Sequence, residues 1–183
     1  MGEQAVQPIE LWPGKAPGSD ATDDFRPTLE LYPVETDKPL GAVLVCPGGG
    51  YGGRAPHEAS PVARRFNNEG FHGFVVQYRV APHRHPAPLF DAARAIRIIR
   101  HNSHEWNVDP QRVAVLGFSA GGHLAASLGV HYAIATPQPP DEIDRVNCRP
   151  DALILCYPVI SSAEFGHQGS IDNLLGPGAP DEM

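Results

Sequence analysis

Ser119 stands between two glycines in the stretch Gly117-Phe118-Ser119-Ala120-Gly121. A serine hydroxyl is a poor nucleophile unless a base takes its proton, and it is most useful when pushed clear of its own backbone. The G-x-S-x-G spacing suits that need. A serine on a sharp strand-to-helix turn adopts a strained backbone, and a side chain at either flanking position would collide with neighbouring chain. The helix that follows aims its free N–H groups and positive dipole end at the same point. The chemistry implied is attack on an acyl carbon, with Ser119 as the catalytic nucleophile and Gly117 and Gly121 as the glycines of the elbow.

A second stretch, Cys46-Pro-Gly-Gly-Gly-Tyr51, also ends an apolar run. Glycines leave the backbone bare, so N–H groups can turn toward a developing alkoxide. Gly49 and Gly50 are the candidate oxyanion donors, joined by the N–H of Ala120. A tight turn or a phosphate loop would also be glycine-rich. A phosphate loop would be followed by Lys and then Ser or Thr, and neither follows here.

The elements that must hold these residues are legible as apolar runs. Residues 42–46, 74–78, 113–116 and 152–157 are continuous rather than alternating, as in strands buried on both faces of a parallel sheet. Helical patterns lie between them. Ser60 and Pro61 read as an N-cap with proline in the first turn, and Gly70 as the stop. In residues 91–101, Ala92, Ile96 and Ile99 share one face, and Arg94, Arg97 and Arg100 are expected to point away from it. Residues 120–131 continue from Ser119. Before them all, "IELWPGKAPG" and "PTLELYPV" read as a pair of edge strands. The β-α-β-α-β-α-β order predicts an α/β fold, a mostly parallel, doubly wound sheet with helices on both faces, in a single domain over residues 1–183.

Bulk composition narrows the function classes. A chain of 183 residues that is 42% hydrophobic and 19% charged can bury a core. A net charge of −7 argues against nucleic acid or an anionic membrane as partner. The N-terminus "MGEQAVQPIE" lacks a basic-then-apolar leader, so a cytoplasmic location is expected unless a leader was removed. Three cysteines form no ligand-spaced pair, and Cys46 and Cys156 read as reduced, buried thiols. No metal and no cofactor is expected.

Taken together, "PGGGY", "YRVAPHRHPAPLFDAARAIR", "WNVDPQRVAVLGFSAGGHLAA" and "PDALILCYPVI" resemble the hormone-sensitive-lipase-like branch of the α/β-hydrolases. More narrowly, the chain is similar to bacterial acetyl esterases and acetylxylan esterase-like proteins, often called xylanase-B-like or feruloyl-esterase-like. "LWPGKAPG" and "HQGSIDNLLG" fit that narrower group. The resemblance implies an α/β-hydrolase fold and hydrolysis of carboxylic esters, with acetyl groups on xylan-type carbohydrate or small acetyl esters as substrates. One departure is Pro47, which stands where the lipase branch has the histidine of H-G-G-G.

In that superfamily the acid and then the histidine follow the serine on loops after later strands. Only 26 residues follow Tyr157, and they hold no further apolar run. The expectation is therefore that the C-terminal strands, with the triad acid and histidine, are missing from this chain. The strand at 152–157 would then leave an edge to be covered by a remaining C-terminal segment or by a homo-oligomer. His123 reads as a packing residue, and His131, His101 and His104 as residues at helix ends. Tyr51, His85 and His167 are candidate pocket lining, with His83 on the same loop as His85. His167 is the one histidine to test as a surrogate base, oriented by Glu164 or Asp172. Two alternatives to an esterase stay open: an inactive scaffold that binds an ester or a protein, and a serine peptidase of the same fold.

Overall fold

A computed structural model describes residues 8–20, 22–137, 140–162 and 166–179. Its elements in chain order are β1 (Ile9–Glu10), β2 (Thr28–Tyr32), β3 (Leu40–Cys46), α1 (Ser60–Asn67), β4 (His72–Gln77), α2 (Ala87–His101), β5 (Val108–Phe118), α3 (Ser119–His131), β6 (Ala152–Cys156) and α4 (Gln168–Leu175). Short 3₁₀ turns occupy Pro56–Glu58 and Ile143–Arg145. The six strands form one sheet in the order β1-β2-β4-β3-β5-β6. β1 and β2 are antiparallel additions at one edge, and the other four run parallel. This is the α/β-hydrolase architecture expected from the sequence.

Strict alternation along each parallel strand splits the core in two. Ala42, Leu44 and Cys46 of β3 pack with Val113 and Val115 of β5 beneath α2 and α3. Val43 and Val45 face the other way, onto Ala63 of α1. Helices thus cover both faces, and that is why the runs in β3, β4 and β5 carry no polar alternation. Register matters for the site: Cys46 pairs with Gly117. The loop after β3 and the turn after β5 therefore leave the sheet side by side. No helix among the described residues is long and apolar enough to cross a membrane.

Several expectations need correction. β6 forms the sheet edge, as expected, but it is not buried on both faces: Leu153, Ile154 and Leu155 are 40%, 37% and 42% exposed. Cys156 is accordingly half-buried rather than buried. Ser60 does not cap α1; Ala59 precedes the helix and no side chain bonds its free N–H groups. Arg94 and Arg97 do not face solvent but are buried. The reason is the segment after α3, which folds back over α2. Arg94 forks onto both carboxylate oxygens of Asp141, at 2.5 and 2.7 Å, and reaches the Leu11 carbonyl. Arg97 bonds the carbonyls of Ala135 and Val146. Planar guanidinium groups with five donors can satisfy buried carbonyls in this way.

The Arg94 fork has a consequence in acid. It holds the Asp141 carboxyl down at about 2, against an ordinary 3.8. A depressed carboxyl contributes stability above its unfolded value and loses it as pH falls through the folded one. Thermal midpoints are therefore expected to drop as pH is lowered from about 3.8 to about 2, and Asp141→Asn to flatten part of that drop. An unchanged pH profile in the variant refutes this role for the pair.

Candidate active site

The last residue of β5, Phe118, is extended, and Ser119 immediately adopts φ +49 as it opens α3. A left-handed conformation is costly for a residue with a side chain and persists only where the surroundings enforce it. Here the enforcement is visible at the two glycines. A Cβ on Gly117 would overlap the Gly121 carbonyl. A Cβ on Gly121 would overlap the Cys46 carbonyl and stand 2.5 Å from that of Pro47. All these obstacles are backbone, so none can swing away. Gly121→Ala is expected to lower stability by about 3 kcal/mol or more, since overpacking against rigid atoms lies at the upper end of its usual range. A urea midpoint within error of the parent would contradict this packing.

Ser119 is half-buried, and its Oγ makes no hydrogen bond among the described residues. The helix behind it starts at the serine, so the Ala120 N–H lies in the first turn, where no carbonyl of the helix can reach it.

The glycine loop lies against this elbow. A Cβ at Gly48 would stand 2.8 Å from the Phe118 carbonyl and 3.1 Å from Ser119 Cβ. Gly49, Gly50 and Tyr51 follow with φ values of +131, +60 and +54. Only glycine takes the first two readily. The carbonyls of this loop are all engaged. Pro47 accepts from Tyr78 Oη at 2.5 Å, Gly48 from the Ala55 N–H at 2.8 Å, Gly49 from the N–H groups of Gly52 and Gly53. Gly50 accepts from Asn173 Nδ2 and Tyr51 from the Ala81 N–H. The N–H groups of Gly49 and Gly50 have no partner among the described residues. A loop with fixed carbonyls and free amides beside a strained serine can receive a developing oxyanion.

The candidate pocket residues separate. Tyr51 and His85 border a cavity of about 340 Å³ that also touches His123, His131, Ser170 and Leu174. Tyr51 is buried and its hydroxyl bonds His123 Nδ1 at 2.8 Å. Burial lowers the pKa of His123, and partial desolvation lowers that of His85 although the residue is exposed. His167 does not line that cavity. It is exposed and caps α4, a helix the sequence reading lacked, with Nδ1 accepting the Ser170 N–H at 3.1 Å. That bond places the proton of the neutral ring on Nε2. Asp172 lies within α4 and accepts from Gln168 Nε2, while Glu164 lies outside the described residues. His83 stands 3.3 Å from Asp23, and His101 and His104 are exposed. No group of three or more His, Cys, Asp or Glu among the described residues could hold a metal ion. Burial pushes the Cys46 thiol up to about 12, which keeps it protonated.

Two contributors went unread in the sequence. Tyr78 grips the Pro47 carbonyl, and Glu58 accepts the Gly48 N–H at 2.7 Å. A tyrosine inside an apolar run and a glutamate ten positions beyond the loop carry no local signal of either contact.

The BD-FAE family model matches residues 29–146. The acetyl ester-xyloside bifunctional hydrolase from Caldicellulosiruptor lactoaceticus is 48% identical with a TM-score of 0.90, over 96% of this chain and 65% of that one. Endo-1,4-beta-xylanase B of Butyrivibrio fibrisolvens is 36% identical over 94% of this chain and 28% of that protein. Acetylxylan esterase of Xylanibacter ruminicola is 36% identical over 85% of this chain and 30% of that protein. The chain thus spans under a third of the length of these two curated relatives.

Proposed function

This chain belongs to the BD-FAE family, and on that premise we propose that it is a serine hydrolase of carboxylic esters whose substrates are acetyl groups on xylan-type carbohydrate. One observation carries the reading: Ser119 at φ +49 on the β5–α3 turn, with the bare amides of a glycine loop beside it. Two relatives named for acetyl ester chemistry, the Caldicellulosiruptor hydrolase and the Xylanibacter esterase, support the substrate class.

In this reading Ser119 Oγ attacks the ester carbonyl carbon and its proton passes to a base. The carbonyl oxygen becomes an oxyanion held by the N–H groups of Gly49, Gly50 and Ala120. Such donors contribute roughly 3–4 kcal/mol each to the transition state. The oxyanion collapses, the sugar alcohol leaves with a proton, and water then releases acetate from Ser119. No residue described at the site takes the base's role, so the proposal assigns it to a histidine from outside this constellation. The bare Ser119 Oγ is also the one observation that favours an inactive binding scaffold.

Acetate release from acetylated xylan tests the proposal, with Ser119→Ala as control, in a protein where a histidine reaches Ser119. Release well above the control supports it. Release equal to the control leaves the scaffold reading in its place.

A further inference from the structure

We propose that Glu58 is a positioning residue for the oxyanion loop, clamping Gly48 so that the amides of Gly49 and Gly50 stay aimed for the acyl oxygen. The inference rests on the ester-hydrolase reading of Ser119. Glu58 closes the 3₁₀ turn Pro56–Glu58 and is only 9% exposed. Both of its carboxylate oxygens are engaged: Oε2 accepts the Gly48 N–H at 2.7 Å, and Oε1 accepts the Tyr157 hydroxyl at 2.6 Å. Both are charge-assisted bonds, the strong kind.

Placement makes the clamp specific to the site. A methyl group added at Gly48 would stand 2.7 Å from Glu58 Oε2 and 3.1 Å from Ser119 Cβ, so carboxylate and nucleophile flank the same glycine. Tyr157 follows β6 at φ +37, and its ring lies 5.9 Å from that of Phe118, the residue before the nucleophile. Glu58 therefore joins the chain leaving β3 to the chain leaving β6 across the elbow at the end of β5.

The need for a clamp follows from chain entropy. Three consecutive glycines have more freedom to lose than any other tripeptide, and Gly49 and Gly50 must both hold left-handed backbones. The Ala55 N–H fixes the Gly48 carbonyl from one side, and Glu58 fixes its N–H from the other. A bare carboxylate so near would oppose an oxyanion. Here its lone pairs are turned into bonds with Gly48 and Tyr157. The bond to Glu58 pushes the Tyr157 phenol up to about 12, so it remains a donor at neutral pH. His57 lies 3.8 Å from Oε1, but its side chain is 81% exposed and adds little.

Amide NMR of the 183-residue chain tests this without turnover, comparing Glu58→Ala, Glu58→Gln and Tyr157→Phe. Glu58→Ala is expected to shift the Gly48, Gly49 and Gly50 amides and to speed exchange at Gly48 by about ten-fold or more. Glu58→Gln retains a carbonyl oxygen for the Gly48 N–H and is expected to restore the Gly49 and Gly50 signals. Tyr157→Phe is expected to produce a smaller shift of the same amides. In a protein where a histidine reaches Ser119, Glu58→Ala should lower kcat for ester turnover by about 10²-fold, the scale of one oxyanion donor, while KM stays within about two-fold. Unmoved Gly49 and Gly50 amides in Glu58→Ala, a glutamine variant no better ordered than alanine, or a loss confined to KM overturns the proposal. In a protein where a histidine reaches Ser119, turnover indistinguishable from Ser119→Ala overturns the ester-hydrolase reading instead, and the amide signals still decide the clamp.

Discussion

Grafted into the Caldicellulosiruptor lactoaceticus hydrolase in place of the part it matches, this chain is expected to hydrolyse p-nitrophenyl acetate, and Ser119→Ala to lower kcat/KM by about 10⁶-fold. In the 183-residue chain alone, the same substitution is expected to change the slow background by less than about ten-fold. The asymmetry comes from how a triad works. Nucleophile and base act as a unit, and removing either costs nearly as much as removing both, about 8 kcal/mol. The residual acceleration comes from oxyanion donors and substrate positioning, which need no serine. Ser119 Oγ has no base among the described residues, whereas the amides of Gly49, Gly50 and Ala120 are in place. The graft is a fair test because the two chains superpose with a TM-score of 0.90. Turnover by the chain alone that Ser119→Ala abolishes would locate a base within these residues. An inert graft would remove Ser119 from the role of nucleophile.

How far the sequence reaches depends on how locally each feature is encoded. β3, β4 and β5 are buried on both faces, so their own residues announce them as unbroken apolar runs. The elbow was equally legible, because the glycines at 117 and 121 answer to atoms a few residues away or on the adjacent strand. β6 carries the same apolar signature, yet it lies at the sheet edge: a sequence records what a strand can bury, not which neighbour is present to bury it. Arg94 and Arg97 were misread for a related reason. Helical spacing puts them opposite Ala92 and Ile96, but only the later segment that includes Asp141, Asp144 and Val146 decides that this second face is also covered. Glu58 lies furthest from view, since its two partners stand 10 and 99 positions away.

Asp91→Ala is expected to remove about 3–5 kcal/mol of stability, the cost of stranding a buried charge. Asp91 and Arg79 have fully buried side chains, and the carboxylate accepts from Arg79 Nε, from a second guanidinium nitrogen and from Trp12 Nε1, each at 2.8 Å. It also takes the Arg79 backbone N–H at 2.9 Å. Burial raises the Asp91 pKa, and the bonds from Arg79 oppose that rise. Without Asp91 the guanidinium stays charged and buried, with only the carbonyls of Pro17 and Ala87 and the Ser19 hydroxyl left to accept from it. Asp91→Asn does not repair this, because an amide NH₂ would face two N–H donors. Replacing both partners, Arg79→Met with Asp91→Leu, is expected to recover most of the loss, since an apolar pair strands no charge. Urea unfolding with an unchanged m value measures both effects. A loss under about 1 kcal/mol in Asp91→Ala, or a double variant no better than the single one, would show that the pair does not hold this region together. The consequence reaches the site through one residue: Tyr78 precedes Arg79 and its hydroxyl holds the Pro47 carbonyl. Freeing Arg79 loosens Tyr78 and with it the first peptide of the glycine loop, so the surviving folded fraction of Asp91→Ala is expected to show broadened amide signals at Gly49 and Gly50.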